Sequence, residues 1–160
     1  MQNKRGQAAM EFLMTYGWAI LAAIIAIGVL AYFGVFSPGQ FAPSAAIVNP
    51  PFYANGWDVT GSAAGDDVSL ELQNNGGETL TLTSVAINSA TVAGTGVTCV
   101  SDTSFAAPVT AGNLIVATLN CGDLTGNSGD TFKGNIVISY TKAGSSLTLT
   151  STGTITDTIN

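Results

Sequence analysis

The apolar and polar positions of this chain change period once, near residue 40. From Phe12 to Phe36 there are 25 residues without a charged side chain. As a helix this run would extend roughly 37 Å, enough to cross a hydrocarbon layer of about 30 Å. It contains no proline, and Ser37-Pro38-Gly39 stands beyond it as a stop. After residue 40 no helical period competes, and the pattern alternates strictly. Val68, Leu70 and Leu72 alternate with Ser69 and Glu71; Leu80 and Leu82 alternate with threonines and lead to Val85 and Ile87. Asn74-Asn75-Gly76-Gly77 between them tolerates positive φ, so the two runs are expected to form a hairpin. Leu114–Leu119 and Phe132–Tyr140 read as further strands, and Lys142-Ala143-Gly144 turns the latter into Leu147–Ile159. Six or seven short strands with regular turn signals predict a β-sandwich.

The expected fold class is therefore α+β: a long N-terminal hydrophobic helix followed by an all-β, Ig-like sandwich. The expected divisions are a leader over residues 1–6, a helix over 7–36, a Pro-rich connector over 37–57 and a head over 58–160. Pro43, Pro50 and Pro51 keep the connector extended. Phe41, Phe52, Tyr53 and Trp57 are much aromatic surface for a free linker, so part of it is expected to lie on the head, as a first strand.

The charges around the apolar run give it direction. Lys4 and Arg5 precede it, and the next basic residue is Lys133. The positive-inside tendency keeps the N-terminus in the cytoplasm and exports the rest. A secretory signal would have a shorter apolar core ending at a small-residue cut site, whereas Ala22, Ala23 and Ala26 lie inside this run. A plain membrane anchor fits the length but leaves Glu11 unexplained, because a carboxylate at the edge of an apolar helix costs free energy unless something pairs with it. A cut after Gly6 resolves this. The new α-amino group falls on Gln7, one helical turn before Glu11, where the two can meet within a chain or between staggered neighbours. The carboxylate then lies in the first turn, which the helix dipole favours.

The stretch Lys4-Arg5-Gly6-Gln7-Ala8-Ala9-Met10-Glu11-Phe12-Leu13 resembles the class III signal peptide of archaeal type IV pilins. In that family a prepilin peptidase cuts between a small residue and a glutamine, ahead of an acid at the fifth mature position. Gly6, Gln7 and Glu11 match, while Ala9 stands where many members have serine. The likeness covers residues 4–36. It implies a homopolymeric helical filament for surface adhesion, with the prepilin peptidase, an assembly ATPase and a membrane platform as partners. The precursor would wait in the cytoplasmic membrane until its helix bundles with copies of itself. Phe12 and the small residues Ala22, Ala23, Ala26, Gly28, Ala31 and Gly34 would lie in that helix contact, where small side chains let helices approach. Archaellins, the subunits of a motility filament, share this signal but usually lack the glutamate. Bacterial tight-adherence pseudopilins begin similarly but do not typically carry a Thr-rich β domain. A non-polymerising, membrane-anchored binding module is the rival from another class.

Composition agrees with an exported structural domain. Only 9% of residues are charged and the balance is −6. Loss of residues 1–6 would leave two lysines against ten acids, −8, so nucleic acid is not an expected partner. Cys99 and Cys121 are the only cysteines; outside the cytoplasm a disulfide between them is expected. There is no histidine, which removes Ser-His and Cys-His nucleophile pairs and the usual zinc sites. Gly126-Asn127-Ser128-Gly129-Asp130 is a turn without a base. Asp66, Asp67, Asp102, Asp123 and Asp130 match no calcium-loop spacing. No catalytic residue, metal site or cofactor is expected. The final strand places Thr148, Thr150, Thr152, Thr154, Thr156 and Thr158 on one face. This is a solvated strand, or a surface for O-linked sugar or lateral filament contacts. No Asn-x-Ser/Thr triplet occurs.

Overall fold

The computed structural model describes residues 4–33, 43–62, 65–105, 107–122, 124 and 127–160. They belong to two compact units, one within Met1–Pro38 and the other within Gly39–Asn160. The expected helix stop at Ser37-Pro38-Gly39 and the small residue Gly34 lie outside the described residues, as do Phe41, Asp123 and Gly126.

The first unit is a helix, α1, Lys4–Tyr32. It starts three residues ahead of the expected boundary at Gln7, so Lys4, Arg5 and Gly6 share its first turns. Its apolar residues cover all sides instead of one stripe, the pattern of a helix that is surrounded by apolar material. A lone helix cannot supply that material for itself. Trp18 is 74% exposed and Ile24 62%, and none of the stretch Ala9–Tyr32 is buried.

The described residues of the second unit form eight strands, all paired antiparallel. They are β1 (Ala45–Val48), β2 (Phe52–Ser62), β3 (Gly65–Asn74), β4 (Leu80–Val92), β5 (Thr95–Gly96), β6 (Leu114–Asn120), β7 (Thr131–Lys142) and β8 (Thr148–Thr158). One sheet has five strands in the order β1-β8-β7-β4-β5, the other three in the order β2-β3-β6. Alternation decides which side chains enter the core. Val68, Leu70 and Leu72 of β3, Ala117 and Leu119 of β6, Leu82 and Val85 of β4, Ile136 and Ile138 of β7 and Ile155 of β8 are buried in one continuous cluster. Each large side chain removed from water contributes about 1.5–3 kcal/mol. The threonines Thr148, Thr150, Thr152 and Thr154 of β8 face outward, as their even positions require.

Two features depart from the expected organisation. The head's strands begin ahead of the expected boundary at residue 58: residues 45–57, read as a connector with part of it on the head as a first strand, carry β1 and the start of β2. β1 lies on β8, with Ala45 opposite Thr156 and Val48 opposite Gly153. Ser151 Oγ donates to Asn49 O at 2.5 Å, a bond between residues 102 positions apart. An added Cβ on Gly153 would come within 2.9 Å of Val48 Cα, so a side chain there would push the two strands apart.

The second departure corrects the hairpin expected at Asn74-Asn75-Gly76-Gly77. β3 and β4 do not pair; they belong to different sheets, and this link passes across the core. Asn74 is fully buried at its start. Its Nδ2 donates to Glu78 O at 2.7 Å and Val109 O at 2.8 Å, and its Oδ1 accepts from Gly76 N at 3.0 Å. The asparagine is thus a buried node with its amide satisfied. The hairpin expected at Lys142-Ala143-Gly144 is present: β7 and β8 pair from Thr131↔Thr158 to Thr141↔Thr148, with Gly144 at φ 78°.

Candidate functional site: the apolar helix and the strap of the head

Helix α1 holds most of the residues singled out by the sequence. Gly6 and Gln7 lie on consecutive helical positions near its start. No acidic residue stands in the first turn of the uncut helix; Glu11 would reach the first turn only if the chain began at Gln7. Glu11 is exposed, and its carbonyl accepts a hydrogen bond from Thr15 Oγ1 at 2.9 Å. The rings of Phe12 and Tyr16 meet at 4.6 Å between centroids. Ala22, Ala23, Ala26, Gly28 and Ala31 are all exposed, and a Cβ added at Gly28 would meet nothing within 4 Å. The most apolar 18 consecutive residues within Ala9–Tyr32 have a mean hydropathy of 2.2. Such a surface is stable in lipid or against other apolar helices, and unstable in water.

In the head the two cysteines are joined, Cys99 Sγ to Cys121 Sγ at 1.99 Å. What they fasten was not visible in the sequence. Residues 97–105 and 107–109 run as a strap along the free side of β4. Val97 N donates to Ala90 O at 2.9 Å, Asp102 exchanges two backbone bonds of 2.9 Å with Val85, and Val109 exchanges bonds of 2.7 and 3.0 Å with Leu80. The same strap also reaches the other sheet. Val100 N donates to Asn120 O at 2.7 Å and Gly122 N to Thr98 O at 3.0 Å. It therefore occupies an edge of both sheets, and the disulfide sits where it passes between them.

Asp102 reinforces the strap. Its Oδ1 accepts from Ser104 N at 2.9 Å and Ser104 Oγ at 2.6 Å, and its Oδ2 accepts from Thr118 N of β6 at 3.1 Å. Partial burial pushes the carboxyl pKa up, but the hydroxyl and N–H of Ser104 and the N–H of Thr118 outweigh it and hold the group below its ordinary value. An acid whose spacing from the others matches no calcium loop is thus a structural latch. Asp67 accepts from Asn120 Nδ2 at 3.3 Å; Asp130 lies in the turn ahead of β7, its N–H bonded to Asn127 O at 2.9 Å. Among the described residues no three acidic or cysteine side chains come together in a way that could hold a metal ion. Beside the strap a cleft of about 360 Å³ is lined by Phe105, Pro108, Leu114 and Val116 among others, with no titratable side chain on its described wall.

The sequence matches no protein-family model and has no significant match among curated proteins. The functional reading therefore rests on the residues themselves.

Proposed function

We propose that this chain is the structural subunit of an extracellular, type IV pilus-like filament that polymerises through α1. The observation that carries this reading is an all-round apolar helix, uncovered from Ala9 to Tyr32, attached to a head that already has a buried core of its own. A helix of this kind needs an apolar surrounding. Lys4-Arg5-Gly6-Gln7 ahead of it and Glu11 within it resemble the processing signal of archaeal type IV pilins, which suggests two surroundings in succession: lipid first, then copies of the same helix. In the precursor the N-terminus is cytoplasmic and the head is outside. Cleavage by a prepilin peptidase after Gly6 removes Lys4 and Arg5, whose charges resist burial, and leaves an ammonium on Gln7 one turn from Glu11. The assembly ATPase and membrane platform of that family would move the subunit into the growing fibre. A head-to-tail contact that does not close into a ring produces a filament. Its role is mechanical and adhesive, with no catalytic residue or cofactor.

The finer fold reading belongs to the same proposal. With β2-β3-β6 as strands A-B-E and β8-β7-β4-β5 as G-F-C-C′, the order follows an immunoglobulin-like sandwich, and the strap occupies the place of strand D. β1, antiparallel to β8, is an addition. The disulfide joins the strap to the end of β6 rather than strand B to strand F.

The test is the N-terminal residue of native protein sheared from cells, together with a Gly6→Leu variant. Filaments built of chains that begin at Gln7, and unassembled precursor in the membrane of the variant, are the expected results. Normal filaments from Gly6→Leu would refute the cut. A native chain that begins at Met1 and stays in the membrane would favour the anchored binding module instead.

A further inference from the structure

Residues 39–160 carry Lys133 and Lys142 against nine acids, a balance of −7. Copies of such a head repel one another unless their acids are kept apart. The two outer faces of the head divide the charge unequally. On the three-stranded sheet, register places Asp58 opposite Ser69, Asp67 opposite Thr60 and Glu71 opposite Gly56, so all three carboxylates share one outward patch. Their hydrogen-bond donors are neutral. Asp58 accepts from Thr60 Oγ1 at 2.8 Å and Asn160 Nδ2 at 2.9 Å, Asp67 from Asn120 Nδ2 at 3.3 Å, and Glu71 from Asn55 Nδ2. These bonds orient the carboxylates and leave the charge uncompensated.

The outer face of the five-stranded sheet is different. Its outward positions on β7 are Lys133, Asn135, Val137, Ser139 and Thr141, and the β8 residues opposite them are all threonines. The β4 residues opposite are Thr91, Asn88, Ala86, Ser84 and Thr81. No acid stands on these three strands' outward rows. Lys133 is exposed, between Thr91 and Thr156. The head's other cation, Lys142, is already engaged, its Nζ donating to Glu78 Oε1 at 2.9 Å.

We propose that the outer face of the five-stranded sheet docks a second copy of this chain, with Lys133 set against the Asp58/Asp67/Glu71 patch on that copy's three-stranded sheet. The acid-free face is broad, and hydroxyls and amides can hydrogen-bond an acidic surface without adding repulsion. The lysine supplies the attractive charge and fixes register. Because the two faces differ and lie on different sheets, the contact is heterologous, and repetition continues it from copy to copy. The inference rests on the filament reading and specifies which head surfaces meet within it.

The test is charge reversal in the full chain in its native cells, read as sedimentable filament per cell. Lys133→Glu should lower the yield at least about tenfold, since it sets like charges together in the contact, while Lys133→Arg should keep it. Adding Asp58→Lys or Asp67→Lys to Lys133→Glu should restore filaments; the two acids are tried separately because each also holds a neighbouring amide. The disulfide and the melting of the Lys133→Glu and Lys133→Arg heads should be unchanged, since Lys133 is exposed. Normal filaments from Lys133→Glu would overturn the inference and leave the filament reading intact. Loss of filaments that neither second substitution restores would overturn the pairing of these two faces. Absence of filaments from the native chain itself would overturn the filament reading, and this inference with it.

Discussion

In α1 the large side chains from Met10 to Tyr32 face outward, whereas in the head Leu70, Ile136 and Phe132 are wholly enclosed. Both regions are rich in the same residue types, and the difference lies in period. A helix that is apolar on every side cannot cover itself, so its stability has to come from surroundings that it does not supply. A strand with period two hides one face against a second sheet and leaves the other polar. The comparison teaches that hydrophobic content alone does not separate a core from an interface; spacing along the chain does.

The sharpest way to break that comparison is to make the same kind of truncation in each region. Leu70→Ala in β3 should lower head stability by about 2–5 kcal/mol, because a filled site becomes a cavity. Ile24→Ala in α1 should leave the head's unfolding within about 0.5 kcal/mol of native. Denaturant unfolding followed by Trp57 fluorescence checks both, and a large effect from Ile24→Ala would show that the head leans on the helix. The next effect is that of the clip. Replacing Cys99 and Cys121 together with alanine should cost about 3 kcal/mol, as expected for cross-linked positions 22 residues apart. Hydrogen exchange should quicken first at Val85, Val100 and Asp102, which would place the loss in the strap. The smallest effect is that of the latch. Asp102 has a depressed folded pKa, so its contribution is complete above its ordinary value of 3.8 and is lost as pH falls through the lower folded value. Melting curves between about pH 5 and 2 should therefore fall less steeply for Asp102→Asn than for the native chain. Equal slopes would mean that Ser104 and Thr118 do not favour the charged form.

Much of this organisation was legible in the sequence. The uncharged run from Phe12, the alternation in β3, β4, β6, β7 and β8, and the turn at Lys142-Ala143-Gly144 are local signals. The β3–β4 link was misread for a physical reason. Asn74-Asn75-Gly76-Gly77 does turn the chain, with Gly77 at φ 69°, but turn chemistry does not say which sheet receives the next strand. Pairing edge to edge and packing face to face both satisfy two alternating strands. Asn74 decides in favour of the second by bonding Val109 O, on the strap, at 2.8 Å, a partner no local pattern could supply. β2 was partly hidden because its register shifts between Ala54 and Gly56, which breaks the alternation. The strap was invisible because its backbone contacts are short and fall at positions with no common spacing. The two cysteines were its one sequence signal, and they named a bond without naming what it fastened.

The pairing of β1 with β8 has a consequence in time. Ala45–Val48 emerges early and meets its only sheet partner about a hundred positions later. Until then β1 has no ladder to join, and β7 has one neighbour instead of two. On the proposed route across a membrane the head can thus stay slack while most of it is still in transit. Arrival of Thr148–Thr158 joins early and late segments in one sheet, and the cost of closing so long a loop is met at that moment. The head would set late and all at once, as a knot drawn tight by its last pass.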